Sequence, residues 1–207
     1  AIIRSFYSEH SILAEETGQD SNISDYLWII DPLDGTTNFV HGYPSYAVSI
    51  GLFYKKAPLI GVVLEMPNMK LYTAIKDQGA WCEGEKIESS NTKNIKSSLL
   101  VTGFGYEHGE NWEKNMRLFK CLTDVTQGVR RLGAAAIDIC HVAKGYVDGF
   151  WEYDLRPWDT AAGILIAKEA GCVITDLSGD RFDINDNNIL ITNGHIHQDM
   201  VKSIERY

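Results

Sequence analysis

The chain has 207 residues, 44% of them hydrophobic, which is enough to bury one substantial core or two abutting lobes. A formal net charge of -9 supplies no basic stripe to neutralise phosphates, so a nucleic-acid partner is not expected, and no apolar run is long enough to span a membrane. Cys82, Cys121, Cys140 and Cys172 form no Cys-x-x-Cys pair and no zinc spacing with histidine; they read as reduced core residues, which favours the cytoplasm.

The chain opens Ala1-Ile2-Ile3-Arg4-Ser5-Phe6-Tyr7 with apolar residues at helical spacing and no N-cap residue, as if inside a helix. Ser11 to Ala14 and Tyr26 to Ile30 read as buried strands. Tyr46 to Tyr54, Leu59 to Glu65 and Leu71 to Ile75, parted by Lys55-Lys56-Ala57-Pro58 and Met66-Pro67-Asn68, read as an antiparallel meander. The second half alternates: Ser98 to Thr102 as strand, Asn111 to Leu122 and Ala134 to Ala143 as helices, Gly145 to Tyr153 as strand. Thr160 to Ala170 is a helix stopped by Gly171, Val173 to Thr175 and Asn188 to Thr192 are strands, and a last helix covers His197 to Glu205. The class expected is α/β, in one domain over 1–207 with two abutting lobes, roughly 1–92 and 93–207, meeting near Ser89 to Lys96.

The chemistry concentrates in Trp28-Ile29-Ile30-Asp31-Pro32-Leu33-Asp34-Gly35-Thr36-Thr37-Asn38-Phe39. A buried run ends there in two carboxylates, a proline that fixes its backbone angle, and a glycine. Asp31, the Leu33 carbonyl and Asp34 can then face one point, and an all-oxygen set suits a hard divalent cation, above all magnesium. Beyond them, the amides of Gly35 and Thr36 would cap a short helix and offer its positive end to a phosphate. A bare polar turn is the plain alternative. The haloacid dehalogenase signature, with its nucleophilic aspartate two positions before Asp-Gly-Thr, does not fit, because Asp31 precedes Asp34 by three.

This stretch resembles the first signature of the inositol monophosphatase family. Trp158-Asp159-Thr160-Ala161-Ala162-Gly163, running on to Gly171, resembles the second, and Ala14-Glu15-Glu16-Thr17-Gly18 a third element. The likeness runs the length of the chain, with Arg130-Arg131-Leu132-Gly133-Ala134-Ala135-Ala136 similar to the bacterial branch. It implies an alternating α-β-α-β-α sandwich of the sugar phosphatase type, with a pair of helices and a supporting aspartate that this sequence does not carry ahead of Ala1. It also implies two or three Mg2+ ions held by Glu15, Asp31, Leu33, Asp34 and Asp159, and a water activated by Glu15 and Thr36. Substrate contacts would come from Asp34, Gly35, Thr36, Ala135, Glu152 and Asp159. The expected reaction is hydrolysis of myo-inositol monophosphate, with a homodimer and lithium inhibition. Fructose-1,6-bisphosphate, histidinol phosphate and a nucleotide 3'-phosphate stay open as substrates, as does a non-catalytic binder of a phosphorylated ligand.

Each of these residues also has a plainer reading. Glu15 fits a solvated acidic loop, Asp159 caps a helix start, and Glu152 fits a surface strand end. Arg156 suits a phosphate or a subunit contact, and a bisphosphate substrate would require Arg130, Arg131 or Arg156 to face a second basic pocket. His41 reads as a loop residue near Phe39, and His195 and His197 as surface residues.

Overall fold

The computed structural model describes residues 2–206. Its first sheet has eight strands: β1 (Ser11–Ala14), β2 (Gly18–Gln19), β3 (Tyr26–Asp34), β4 (Ala47–Tyr54), β5 (Ala57–Glu65), β6 (Lys70–Ile75), β7 (Ala80–Cys82) and β8 (Glu85–Ile87). They lie in the order β2-β1-β3-β4-β5-β6-β7-β8, antiparallel except for the parallel pair β1 and β3. The meander is as the alternation predicts. The short strands β7 and β8 are additions that three residues apiece cannot announce by periodicity. Glu83 and Gly84, both at positive φ, make the tight turn between them.

The second sheet follows the segment 88–98 and holds β9 (Leu99–Thr102), β10 (Gly128–Arg130), β11 (Gly149–Tyr153), β12 (Val173–Thr175) and β13 (Asn188–Thr192), in the order β10-β9-β11-β13-β12. Parallel pairing joins β10, β9 and β11; antiparallel pairing joins β11, β13 and β12. β11 begins later than its sequence predicts, because Gly145 turns the chain at a φ of 71° before the strand forms.

Among the described residues six α-helices complete the fold: α1 (Ile2–Phe6), α2 (Thr36–His41), α3 (Glu110–Val125), α4 (Ala135–Ala143), α5 (Pro157–Glu169) and α6 (His197–Ile204). α5 starts earlier than its apolar run, with Pro157 in the first turn, where a missing N–H costs nothing. Every residue from Thr160 to Ala167 is buried, as a helix walled in on all sides requires. α4 and α5 form a middle layer: Ile137, Ile139, Ala161 and Leu165 share one core with Ile29, Val63 and Tyr72 of the first sheet and with Val101, Phe150 and Ile191 of the second. The other face of the second sheet, with Leu100, Trp151 and Leu190, packs on Leu118 and Leu122 of α3 and Met200 and Ile204 of α6. The layers therefore run sheet, helix pair, sheet, helix pair, a mixed α/β architecture as expected. Among the described residues no helix is long and apolar enough to cross a membrane.

The His197 expectation needs correcting. Its ring is 4% exposed, fixed between the hydroxyls of Thr192 at 3.0 Å and Thr175 at 3.1 Å, because the first turn of α6 packs into the second core. All four cysteines are free thiols; Cys82 and Cys140 are buried, Cys121 and Cys172 partly so.

The sheet and middle layer touch through glycine. A Cβ on Gly61 would lie 2.5 Å from the Ala162 carbonyl oxygen, and one on Gly51 2.9 Å from the Ala161 methyl. Gly61→Ala should therefore push α5 off the sheet and cost about 1–3 kcal/mol, measured by urea denaturation. An unchanged midpoint would contradict this packing.

Candidate active site

Asp34 follows Asp31 by three positions, an odd offset that turns two side chains to opposite faces of a regular strand. The ladder avoids this with a bulge. Asp31 pairs with Ser49 and Asp34 with Ala47, so β3 contains one more residue than β4 across that interval. Pro32 sits in the bulge, where its lack of an N–H breaks no ladder bond. Both carboxylates consequently point inward, 2% and 7% exposed. The strand expected over Tyr26 to Ile30 continues through both aspartates.

Each carboxylate is anchored by backbone. Asp31 accepts the Leu33 amide at 2.9 Å. Asp34 accepts the amides of Ala135 at 3.2 Å and Ala136 at 2.8 Å, the unpaired donors in the first turn of α4. Asp159, in the first turn of α5, accepts the Arg156 amide at 2.6 Å, so its capping role is real and leaves its other oxygen unused. Glu15 stands exposed after β1, its amide bonded to the Ile30 carbonyl at 3.3 Å across the parallel pair. Gly35 turns the chain at φ 84°, and a Cβ there would come 2.8 Å from the Ser45 carbonyl oxygen. The Thr36 hydroxyl then donates to the Leu33 carbonyl at 3.0 Å.

These groups line one cavity of 1050 Å³ together with Leu33, Gly35, Thr36, Ala135 and Glu152. Every site residue proposed from the sequence is therefore brought together. Arg131 and Arg156 face the same cavity, whereas Arg130 is not among its walls. The Ala135 amide is already engaged by Asp34, so a ligand using it must share that donor.

Burial sets the electrostatics. It is the largest influence on Asp31, pushed up to about 7 with help from Glu15 and Asp159, and on Asp159, pushed up to about 6. Burial also holds Asp34 and Glu152 well above the ordinary carboxylate range. Among the described residues no three carboxylate, histidine or cysteine side chains close on one point as a finished metal shell. The donor set nevertheless fits hard cations: it is all oxygen, it crowds like charges, and the Leu33 carbonyl keeps a lone pair free beside the Thr36 hydroxyl.

Three features escaped the sequence reading. Tyr106 bridges the cavity, its hydroxyl 3.1 Å from that of Thr37. Asn38 ties the site together by donating to the carbonyls of Ser45 and Leu132, both at 2.7 Å. Asp138 lies fully buried behind Asp34 and Glu152 with neither oxygen hydrogen-bonded to the protein, its carboxyl raised chiefly by burial. A lone acid in the apolar run Ala134-Ala135-Ala136-Ile137-Asp138-Ile139 was the available signal for the last; nothing local marks the other two.

The pH dependence has a definite sign. Asp31 and Asp159 keep a proton in the folded, metal-free protein where an unfolded aspartate, near 3.8, has lost it. Their contribution to stability is full below 3.8 and is lost as pH rises through about 6 and about 7. The metal-free melting temperature should fall between about pH 5 and 7.5, and magnesium should restore more at the upper end because it competes with those protons. A metal-independent rise across that window in differential scanning calorimetry would contradict the site's electrostatics.

The inositol monophosphatase family model matches residues 1–207. "Phosphatase IMPL1, chloroplastic" of Arabidopsis thaliana is 49% identical over 98% of this chain, which spans 57% of that protein's length. "Inositol-1-monophosphatase" of Synechocystis sp. is 44% identical, with 98% of this chain and 71% of the relative covered. The solved inositol monophosphatase from Anabaena superposes with a TM-score of 0.91 at 42% identity, over 99% of this chain and 82% of that one. A more distant IMPase/NADP phosphatase, solved with NADP and Ca2+, matches at a TM-score of 0.85 and 29% identity over 98% and 77%. With its two signature segments converging on one acidic cavity, this chain belongs to the inositol monophosphatase family.

Proposed function

We propose that the chain is a magnesium-dependent phosphomonoesterase that hydrolyses myo-inositol monophosphate to inositol and inorganic phosphate. Support comes from the convergence of Glu15, Asp31, Asp34 and Asp159, from three separated stretches of sequence, on one cavity beside Thr36 and the amino end of α4. Glu15, Asp31, the Leu33 carbonyl, Asp34 and Asp159 would hold two or three Mg2+ ions. Bound there, these ions would acidify water and neutralise charge on the phosphoryl and leaving oxygens.

The chain's own groups would supply the rest. Thr36 donates its hydroxyl hydrogen bond to the Leu33 carbonyl, so its oxygen is left to accept a hydrogen bond from a water, which aims that water's lone pair at phosphorus. Glu15, the exposed carboxylate, takes the water's other proton as the new P–O bond forms. The ester P–O bond breaks in line with the attack, and the departing alkoxide acquires a proton from solvent. No phosphoenzyme is needed, because no nucleophilic side chain stands in for the water. Gly35 and the amides beside it would receive the phosphate, while Glu152 and the Ala135 amide would face the hydroxyls of the polyol.

Arg131 and Arg156, on the walls of the same cavity, keep fructose-1,6-bisphosphate a rival substrate, alongside histidinol phosphate and a nucleotide 3'-phosphate. We also propose a homodimer, inhibition by lithium and, from the unpaired thiols, a cytoplasmic location. Sedimentation as a monomer would refute the dimer, and activity indifferent to high lithium would refute the inhibition.

Asp159→Asn retains an oxygen to accept the Arg156 amide, so the fold should survive. Its lost charge should lower phosphate release from myo-inositol monophosphate by about 100-fold or more, and Glu15→Gln should do likewise. Unchanged turnover in both variants, or parent activity that persists in chelator, would sink the mechanism. A preference for another ester in a phosphate-release panel would overturn the substrate alone.

A further inference from the structure

A second cavity, of 770 Å³, opens at the far end of α5 from Asp159. Lys168 marks it, nine residues further along the helix and so about 13 Å from Asp159. The two cavities have no wall residue in common.

Its charge opposes that of the molecule. Lys55, Lys56, Lys76, Lys168 and Arg181 line it, in a chain with 19 lysines and arginines and a net charge of -9. Asp183 is the one carboxylate on its walls among the described residues; its Oδ1 accepts from both the amide and the side chain of Asn185, and Lys56 and Arg181 help hold it below the usual carboxylate range. Of the five cations, Lys55 reaches Asp25 at 3.7 Å with both partners exposed. The other four make no salt bridge among the described residues.

Beneath this rim the floor is apolar. Phe53, Ile164, Leu165, Ile174 and Phe182 line it, with Phe53 and Leu165 fully buried in the core behind. A surface that only needed charge for solubility would not set it around an apolar hollow.

The turn that carries two of the cations is a further sign. Lys55 and Lys56 alone connect β4 to β5, at φ values of 48° and 68°. A two-residue hairpin turn of that kind is ordinarily made by Asn-Gly, since both positions lie in the left-handed region that lysine disfavours. The hairpin thus presents two ammonium groups at the cavity mouth against its own conformational preference.

We propose that this cavity binds a nucleoside polyphosphate, its phosphates among the five cations and its base against the half-buried ring of Phe182. Several negative charges match the ring of cations, a flat apolar ring matches the floor, and the volume lies within the ordinary range for small-ligand sites.

Calorimetric titration of the intact chain with ATP, in chelator so that the acidic cavity lacks metal, tests this. One saturable site is expected, weakening steeply with added salt, with AMP and inorganic triphosphate both binding less tightly. The double variant Lys56→Glu/Arg181→Glu should bind ATP about tenfold more weakly or worse. Lys55→Asn/Lys56→Gly gives a readout that misfolding cannot imitate: its melting temperature should rise while its ATP affinity falls. No saturable ATP binding in the millimolar range, or affinity unchanged in both double variants, would overturn the site. Inorganic triphosphate binding as tightly as ATP would overturn the place given to the base.

Discussion

The contact on which the rest of the site depends is the buried Asp34 carboxylate, which accepts two amides from the first turn of α4. It joins the first sheet to the middle layer across about half of the chain, and it satisfies donors that a buried helix start cannot leave open. It also sets an acid in a poorly solvated place beside Asp31 and Asp159. Burial raises all three carboxyls, with repulsion from neighbouring acids, Glu15 among them, adding to it, so the metal-free site is held in a state that cations would relieve. The anchoring that builds the fold and the affinity that would serve the chemistry thus come from one arrangement.

Local backbone chemistry makes that arrangement possible. Pro32 fits a place in the bulge where any other residue would leave its N–H without a ladder partner, and the bulge is what turns Asp31 and Asp34 to the same face. Gly35 then passes so close to Ser45 and Gly133 that no side chain would fit, which sets the Thr36 hydroxyl onto the Leu33 carbonyl. On the far wall, Gly103 lies where any Cβ would overlap the Glu152 carboxyl, so its lack of a side chain is what lets Glu152 lie against the strand end.

α5 connects these features to the remainder of the molecule. Its amino end presents Asp159 to the acidic cavity, its buried body packs on the first sheet through Gly51 and Gly61 and on α4 through Gly163, and its carboxyl end presents Lys168 to a cavity of opposite charge. Ligands at either end would bear on the same rigid element. The close packing that fixes the helix also makes its position sensitive to single methyl groups.

By itself the sequence determined the α/β class, the meander, the long helices and the acidic residues of the site, because each is written in local signals: alternation, helical periodicity, and carboxylates beside proline and glycine. Tertiary structure alone decided that Asp31 and Asp34 share a face, since a bulge depends on the register of two strands. It also decided that Asp34 binds α4, that Tyr106 meets Thr37, that His197 is buried, and that five cations from separated segments ring one cavity. Such facts depend on which distant segments come together, and no local pattern of residues encodes that pairing.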